Sequence, residues 1–137
     1  MWLYPPYLGA GISVKSVSED ATQYVVQLKQ RFYNRNMYGT HFGGSLYSMV
    51  DPFFVFAAAA YFGDGYILWD KAATIDYITP GRGTVTSAIG IETDRLAAMK
   101  TEVDSVGKAV FTFNTSVRDS KNVVVAAVSK TIYIRKQ

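Results

Sequence analysis

Apolar and polar positions along the chain first alternate, then merge into one long apolar stretch, then alternate again. Ile12 to Val17 and Gln23 to Phe32 read as extended runs. The second places Tyr24, Val26, Leu28 and Gln30 on one side and Val25, Gln27 and Lys29 on the other, and Ser18-Glu19-Asp20 turns the chain between the two runs. Asn34 to Gly44 holds glycines and asparagines without a period and reads as an ordered loop. Ser45 to Phe62, with Leu46, Met49, Val50, Phe53, Phe54 and four alanines in a row, predicts a helix that is apolar nearly all round and ends at Gly63-Asp64-Gly65. Tyr66–Thr79 and Thr84–Glu92, separated by Pro80-Gly81-Arg82-Gly83, read as two strands of a hairpin. Asp94 is placed to cap a short helix from Arg95 to Val106. Lys108–Arg118 and Val123–Arg135 follow as alternating strands across the turn Asp119-Ser120-Lys121-Asn122.

A helix without a polar face must be buried on most sides. An antiparallel sheet wrapped around it satisfies that requirement, so the expected class is α+β, with one long central helix and a single domain over residues 1–137.

Composition narrows the chemistry. Charged residues are only 18% against 49% hydrophobic, which leaves little polar cover for a body of 137 residues and predicts a homo-oligomer, dimer or dimer of dimers. The absence of cysteine removes disulfides, thiolate metal sites and a cysteine nucleophile, and one histidine, His41, cannot build a zinc cage; no cofactor is implied. The formal charge of +3 is spread singly along the chain, which argues against nucleic acid and suits a small anionic ligand carrying phosphates. The apolar run Met49–Phe62 is interrupted by Asp51 and Pro52 and is shorter than the roughly 20 residues of a membrane span, so no membrane partner is expected. The opening Met-Trp-Leu-Tyr-Pro-Pro-Tyr lacks the basic start of a secretion signal, and the expected location is cytoplasmic.

The polar interest concentrates between Asn36 and Asp51. Gly43 and Gly44 stand where a helix begins, and the first N–H groups of a helix have no internal partner, so the pair reads either as a tight turn or as an oxyanion hole. Asp51 is the only charge between His41 and Asp64, and spacing alone leaves a helix-capping role and a catalytic one equally open. If the helix starts near Gly44, Pro52 removes one internal hydrogen bond, kinks it, and leaves a carbonyl near Ser48 to be satisfied from elsewhere.

Asn36, Gly39, Gly43, Gly44 and Asp51, in that spacing, resemble the hot-dog fold acyl-CoA thioesterases of the phenylacetic-acid-degradation type. The longer context, Phe42-Gly43-Gly44-Ser45-Leu46-Tyr47 followed by Trp69-Asp70-Lys71-Ala72-Ala73, is similar to uncharacterised thioesterase-like proteins akin to the YiiD C-terminal domain. The resemblance implies a hot-dog fold, a dimer, and an acyl-CoA or acyl-carrier-protein substrate. By the same resemblance Asp51 is general base or nucleophile, the Gly43 N–H meets the thioester carbonyl, and Asn36 orients water or the acyl group. Many relatives carry His directly before the Gly-Gly pair; here Phe42 fills that place and His41 stands one earlier, which favours a loop-stabilising role for His41.

Gly44, His41, Phe42, Tyr47 and Arg82 are the candidate substrate contacts, Arg82 and Arg35 for phosphates and Phe42, Tyr47 and Trp69 for an acyl tunnel. Ordinary loop or core packing is the competing reading of each of these residues, and Asp70-Lys71 reads as a surface or interface ion pair. Gly43 and Asp51 are eight residues apart, a rise of roughly 12 Å along a helix, so one chain cannot easily offer both to one carbonyl. Two antiparallel central helices across a two-fold axis can. The expected activity is thioester hydrolysis, with a non-catalytic acyl-binding or structural dimer as the alternative, and a hydratase, which would call on an Asp and His pair, ranked last.

Overall fold

The computed structural model describes residues 4–137; the opening Met1-Trp2-Leu3, part of the stretch read as lacking a secretion signal, lies outside them. Ten elements follow in order: α1 (Pro5–Ala10), β1 (Ile12–Val17), β2 (Gln23–Leu28), α2 (Gly43–Ser48), α3 (Phe53–Phe62), β3 (Tyr66–Tyr77), β4 (Val85–Gly90), α4 (Thr93–Val106), β5 (Lys108–Asp119) and β6 (Val124–Lys136). The strands form one six-stranded sheet in the order β1-β2-β4-β5-β6-β3, every neighbouring pair antiparallel.

The apolar helix lies against this sheet as its pattern requires. Phe53, Phe54, Ala57 and Ala58 of α3 are fully buried and share one core with Val26 and Leu28 of β2, Val85 and Ile89 of β4, and Ile132 and Ile134 of β6. Phe54 stacks on Phe113 with ring centroids 5.2 Å apart. The helical stretch Gly43–Phe62 is in fact long and apolar enough to cross a membrane, longer than the run counted from Met49, but half of it is enclosed by the fold, as befits a core helix.

Three expectations are corrected. The central helix is not continuous: the chain turns through Met49–Pro52 between α2 and α3, because Pro52 offers no N–H to the preceding turn. The Ser48 carbonyl left over is taken by the hydroxyl of Tyr7, which donates to it at 2.6 Å from α1, a short helix with Pro at its start that the sequence pattern had not suggested. Tyr7→Phe deletes that donor and leaves a carbonyl unsatisfied, and is expected to lower the unfolding free energy by about 1–2 kcal/mol in denaturant titration.

The second correction concerns β3 and β4, which do not form a hairpin. β3 pairs with β6 at one edge of the sheet, while β4 lies between β2 and β5, and Pro80-Gly81-Arg82-Gly83 belongs to the crossing between them. Third, α4 starts at Thr93 after Glu92; Asp94 sits inside its first turn and caps nothing.

The crossing leaves β3 as a long outer strand, with residues 69 to 74 exposed and, among the described residues, no partner on its far side. Lys71 is the extra residue of a bulge between Asp70 and Ala72. Asp70 therefore stays opposite Ile132, whose side chain faces the core, and Ala73 stands opposite Lys130. Lys130 occupies the inward row of β6 formed by Ala126, Val128, Ile132 and Ile134.

Candidate active site

A lysine in that apolar row needs partners. Lys130 is fully buried, and its Nζ donates to Tyr47 Oη at 2.9 Å, to Asp51 Oδ1 at 2.9 Å and to Asp70 Oδ1 at 3.0 Å. All three donors of the ammonium are thereby used. Tyr47, one turn before Asp51, donates its hydroxyl to the same Asp51 Oδ1 at 2.9 Å. Three side chains, from α2, the turn after it and β3, thus converge on the one cation of β6.

Asp51 is held by one oxygen only. Oδ1 receives both donors, whereas no donor among the described residues reaches Oδ2. The side chain keeps half of its surface open and lines a cavity of about 490 Å³ with Tyr4, Tyr7, Ser48, Pro52 and Phe56. Of the two roles left open by the sequence, the helix cap is not formed: α3 begins at Phe53, Pro52 and not Asp51 holds the capping position, and no side chain caps the helix.

The electrostatics follow from this packing. Burial works against the charge on Lys130, but the hydrogen bonds to Tyr47, Asp51 and Asp70 outweigh it and hold the ammonium well above the ordinary lysine value. Asp70 is pushed up by burial and by the nearby Asp51 charge, only partly offset by Lys130. Burial first, then Asp51, raises the Tyr7 phenol, so Tyr7 stays a donor at neutral pH.

The other candidate residues lie around neighbouring cavities. Asn36, His41 and Gly43 border one of about 280 Å³ with Tyr77, and Gly44 and Tyr47 border another of about 500 Å³ beside Ala73, Ile75 and Tyr77 of β3. Phe42, extended at φ −63° and ψ 129°, starts α2. Among the described residues neither the Gly43 nor the Gly44 N–H finds an acceptor, while the Tyr77 hydroxyl donates to the Gly43 carbonyl at 3.1 Å.

Asn36 is spent on its own loop: its amide nitrogen donates to Thr40 Oγ1 and to the His41 carbonyl, and its oxygen accepts from the N–H groups of Tyr38 and Thr40. His41 is buried, with Nε2 2.6 Å from the Gly83 carbonyl and its backbone N–H on the Gly81 carbonyl, so it ties the loop to the crossing. Burial lowers its imidazole pKa, with the Gly83 bond a partial offset. Arg82 donates to the Gly39 carbonyl at 3.0 Å, and the Phe42 ring lies over Gly44. Trp69 stacks on Tyr133 at 4.4 Å on the outer face.

Asp70 is not paired with Lys71, as its neighbour in sequence suggested; its partner is the buried Lys130. Lys130 itself escaped the sequence reading. The signal was present as a lone cation in the alternating row Ala126, Val128, Lys130, Ile132, Ile134.

The sequence profile of DUF4442, described as a domain of unknown function, matches residues 1–134. The chain belongs to the DUF4442 family. That membership is consistent with the YiiD-like resemblance. No curated protein matches the chain.

Among solved structures it is similar to PA5026 of Pseudomonas aeruginosa, a probable thioesterase, at 17% identity and a TM-score of 0.81 over 93% of this chain and 85% of that one. It is also similar to thioesterase HI1161 of Haemophilus influenzae, at 12% identity and TM-score 0.72 over 98% and 85%. The PaaI protein of the E. coli phenylacetic acid degradation operon matches at 19% identity and TM-score 0.65 over 96% and 83%. The DUF4442 chain therefore has the hot-dog fold of thioesterase-like proteins.

Proposed function

We propose that this DUF4442 protein hydrolyses an acyl thioester, carried by coenzyme A or by an acyl-carrier protein, at composite sites shared between two copies of the chain. The observation that carries this reading is the Asp51 carboxylate, fixed through Oδ1 and bare at Oδ2 beside a cavity. Half of the Asp51 side chain stays open, so a water molecule can reach the free oxygen from the cavity.

In the hydrolysis, Oδ2 takes a proton from water, the hydroxide adds to the thioester carbonyl, and the open N–H groups at Gly43 and Gly44 receive the charge developing on the carbonyl oxygen. Collapse breaks the C–S bond, and the thiolate takes the proton back. Direct attack by Oδ2, giving a mixed anhydride that water then cleaves, uses the same two groups.

Asp51 and Gly43 border different cavities of one chain. The outer edge of β3 offers unpaired backbone groups over a long exposed run, and a second copy pairing there would bring a second pair of central helices alongside the first. In that dimer, Gly43 of one copy serves Asp51 of the other. Arg82 and Arg35, near the helix start, are the candidates to meet phosphates of the carrier.

The test is a panel of acyl-CoA thioesters with free thiol as the readout. At least one should be turned over by the wild-type protein. Tight binding across the panel with no thiol released would instead establish an acyl-binding module.

A further inference from the structure

Two carboxylates share one buried ammonium, which is more than a structural pin requires. One counter-ion neutralises a lysine; a second leaves the cluster with an excess negative charge in a partly shielded place, where Asp70 already titrates above its ordinary value because of burial. The arrangement has a chemical use if Asp51 is a base or nucleophile. An ammonium at 2.9 Å fixes a carboxylate but also makes it a poorer base, since the nearby positive charge favours the ionised form. A second carboxylate on the same ammonium offsets that loss without loosening the grip.

We propose that Lys130 is a positioning residue that aims Asp51 Oδ2 into its cavity, and that Asp70, as the second partner of Lys130, keeps Asp51 basic enough to work. The inference rests on the thioesterase reading above. The charged and titratable groups facing Asp51 or its cavity are Tyr47 from α2, Tyr7 from α1 and Tyr4 just before it, Lys130 from β6 and Asp70 from β3. Of these, only Asp70 opposes the ammonium at neutral pH. Both carboxylates meet the same Nζ, Asp51 at 2.9 Å and Asp70 at 3.0 Å, so a change of charge at one is felt directly at the other.

Asp70→Asn keeps an oxygen for Lys130 and removes only the charge, and the side chain is 30% exposed, so the fold should tolerate it. In the wild type and in Asp70→Asn, the side-chain carboxyl carbon of Asp51 is followed by NMR against pH, its resonance identified by its loss in Asp51→Asn. The midpoint should fall by roughly half to one pH unit in Asp70→Asn. The acid limb of kcat/KM should move down by the same amount, and the plateau kcat should drop several-fold; Asp70→Glu should restore both.

An Asp51 midpoint that does not move in Asp70→Asn overturns the proposal, even if that variant is slower or less stable, because a purely structural pin would change those without moving the midpoint. If Asp51→Asn hydrolyses thioesters at the wild-type rate, the thioesterase reading fails separately. A midpoint that still falls would then preserve the tuning of Asp51 and overturn only its catalytic purpose.

Discussion

Replacing Asp51 by Asn should lower kcat on a thioester substrate by about a hundredfold or more, the usual cost of removing a general base or nucleophile, with little effect on folding. The amide keeps an oxygen where Oδ1 now accepts from Tyr47 and Lys130, and the side chain is half exposed, so the local packing has no reason to change. Thiol-release rates and circular dichroism on the same preparation measure the two halves of this statement. A wild-type rate would remove Asp51 from the chemistry altogether.

Lys130→Met should be the most damaging single change to stability around the site. Methionine matches the length of the lysine stem and suits the apolar row between Val128 and Ile132, but it leaves Asp51 and Asp70 facing each other without a counter-ion. Breaking a buried pair in this way costs about 3–5 kcal/mol, and water can reach both carboxylates here, so the low end is expected, or a fall in Tm of about 10 °C. Activity should fall with it, because Asp51 loses the group that aims it.

The pH dependence of this loss has a definite sign. In the variant, Asp70 loses the Lys130 bond and charge that partly offset its burial, so its folded-state pKa rises further above the unfolded value; the penalty is present at neutral pH and shrinks as falling pH protonates the group. The difference in unfolding free energy between wild type and variant should therefore narrow from pH 7 toward pH 4, and adding Asp70→Asn should recover part of it. A difference independent of pH would show that lost packing, and not charge, is responsible.

The sequence carried the apolar helix, its burial under an antiparallel sheet and the weak point at Pro52, since each is written in a local pattern. The stranded carbonyl near Ser48 followed from a missing N–H alone; that Tyr7 would fill it did not, because a contact across forty-one residues leaves no trace in spacing. The supposed hairpin of β3 and β4 failed for the same reason. Pro80-Gly81-Arg82-Gly83 has the chemistry of a turn, but nothing in it states whether the next strand folds back or crosses to the far side of the sheet.

At the site, Asp51 stood out as a charge in apolar surroundings. Asp70 was misread because its sequence neighbour Lys71 offers an obvious pairing, and the bulge that swings Lys71 out of register is invisible in composition. Lys130 was legible in principle, as a cation on the inward side of β6, once the face of that strand is known.

The central claim is that Asp51 of one copy works with the opening turn of α2 in another. Mixing two inactive variants tests it directly. Gly43→Pro removes the N–H from the first position of α2, where proline is well tolerated and where the extended Phe42 before it already has a suitable backbone; for the added Cβ, Tyr77 must give way by a few tenths of an ångström. Unfolded together with Asp51→Asn and refolded as a one-to-one mixture, random pairing makes half of the dimers mixed, each with one intact site. Shared sites predict that about a quarter of the wild-type thiol-release rate returns. A refolded mixture as inactive as either variant alone would contradict the account.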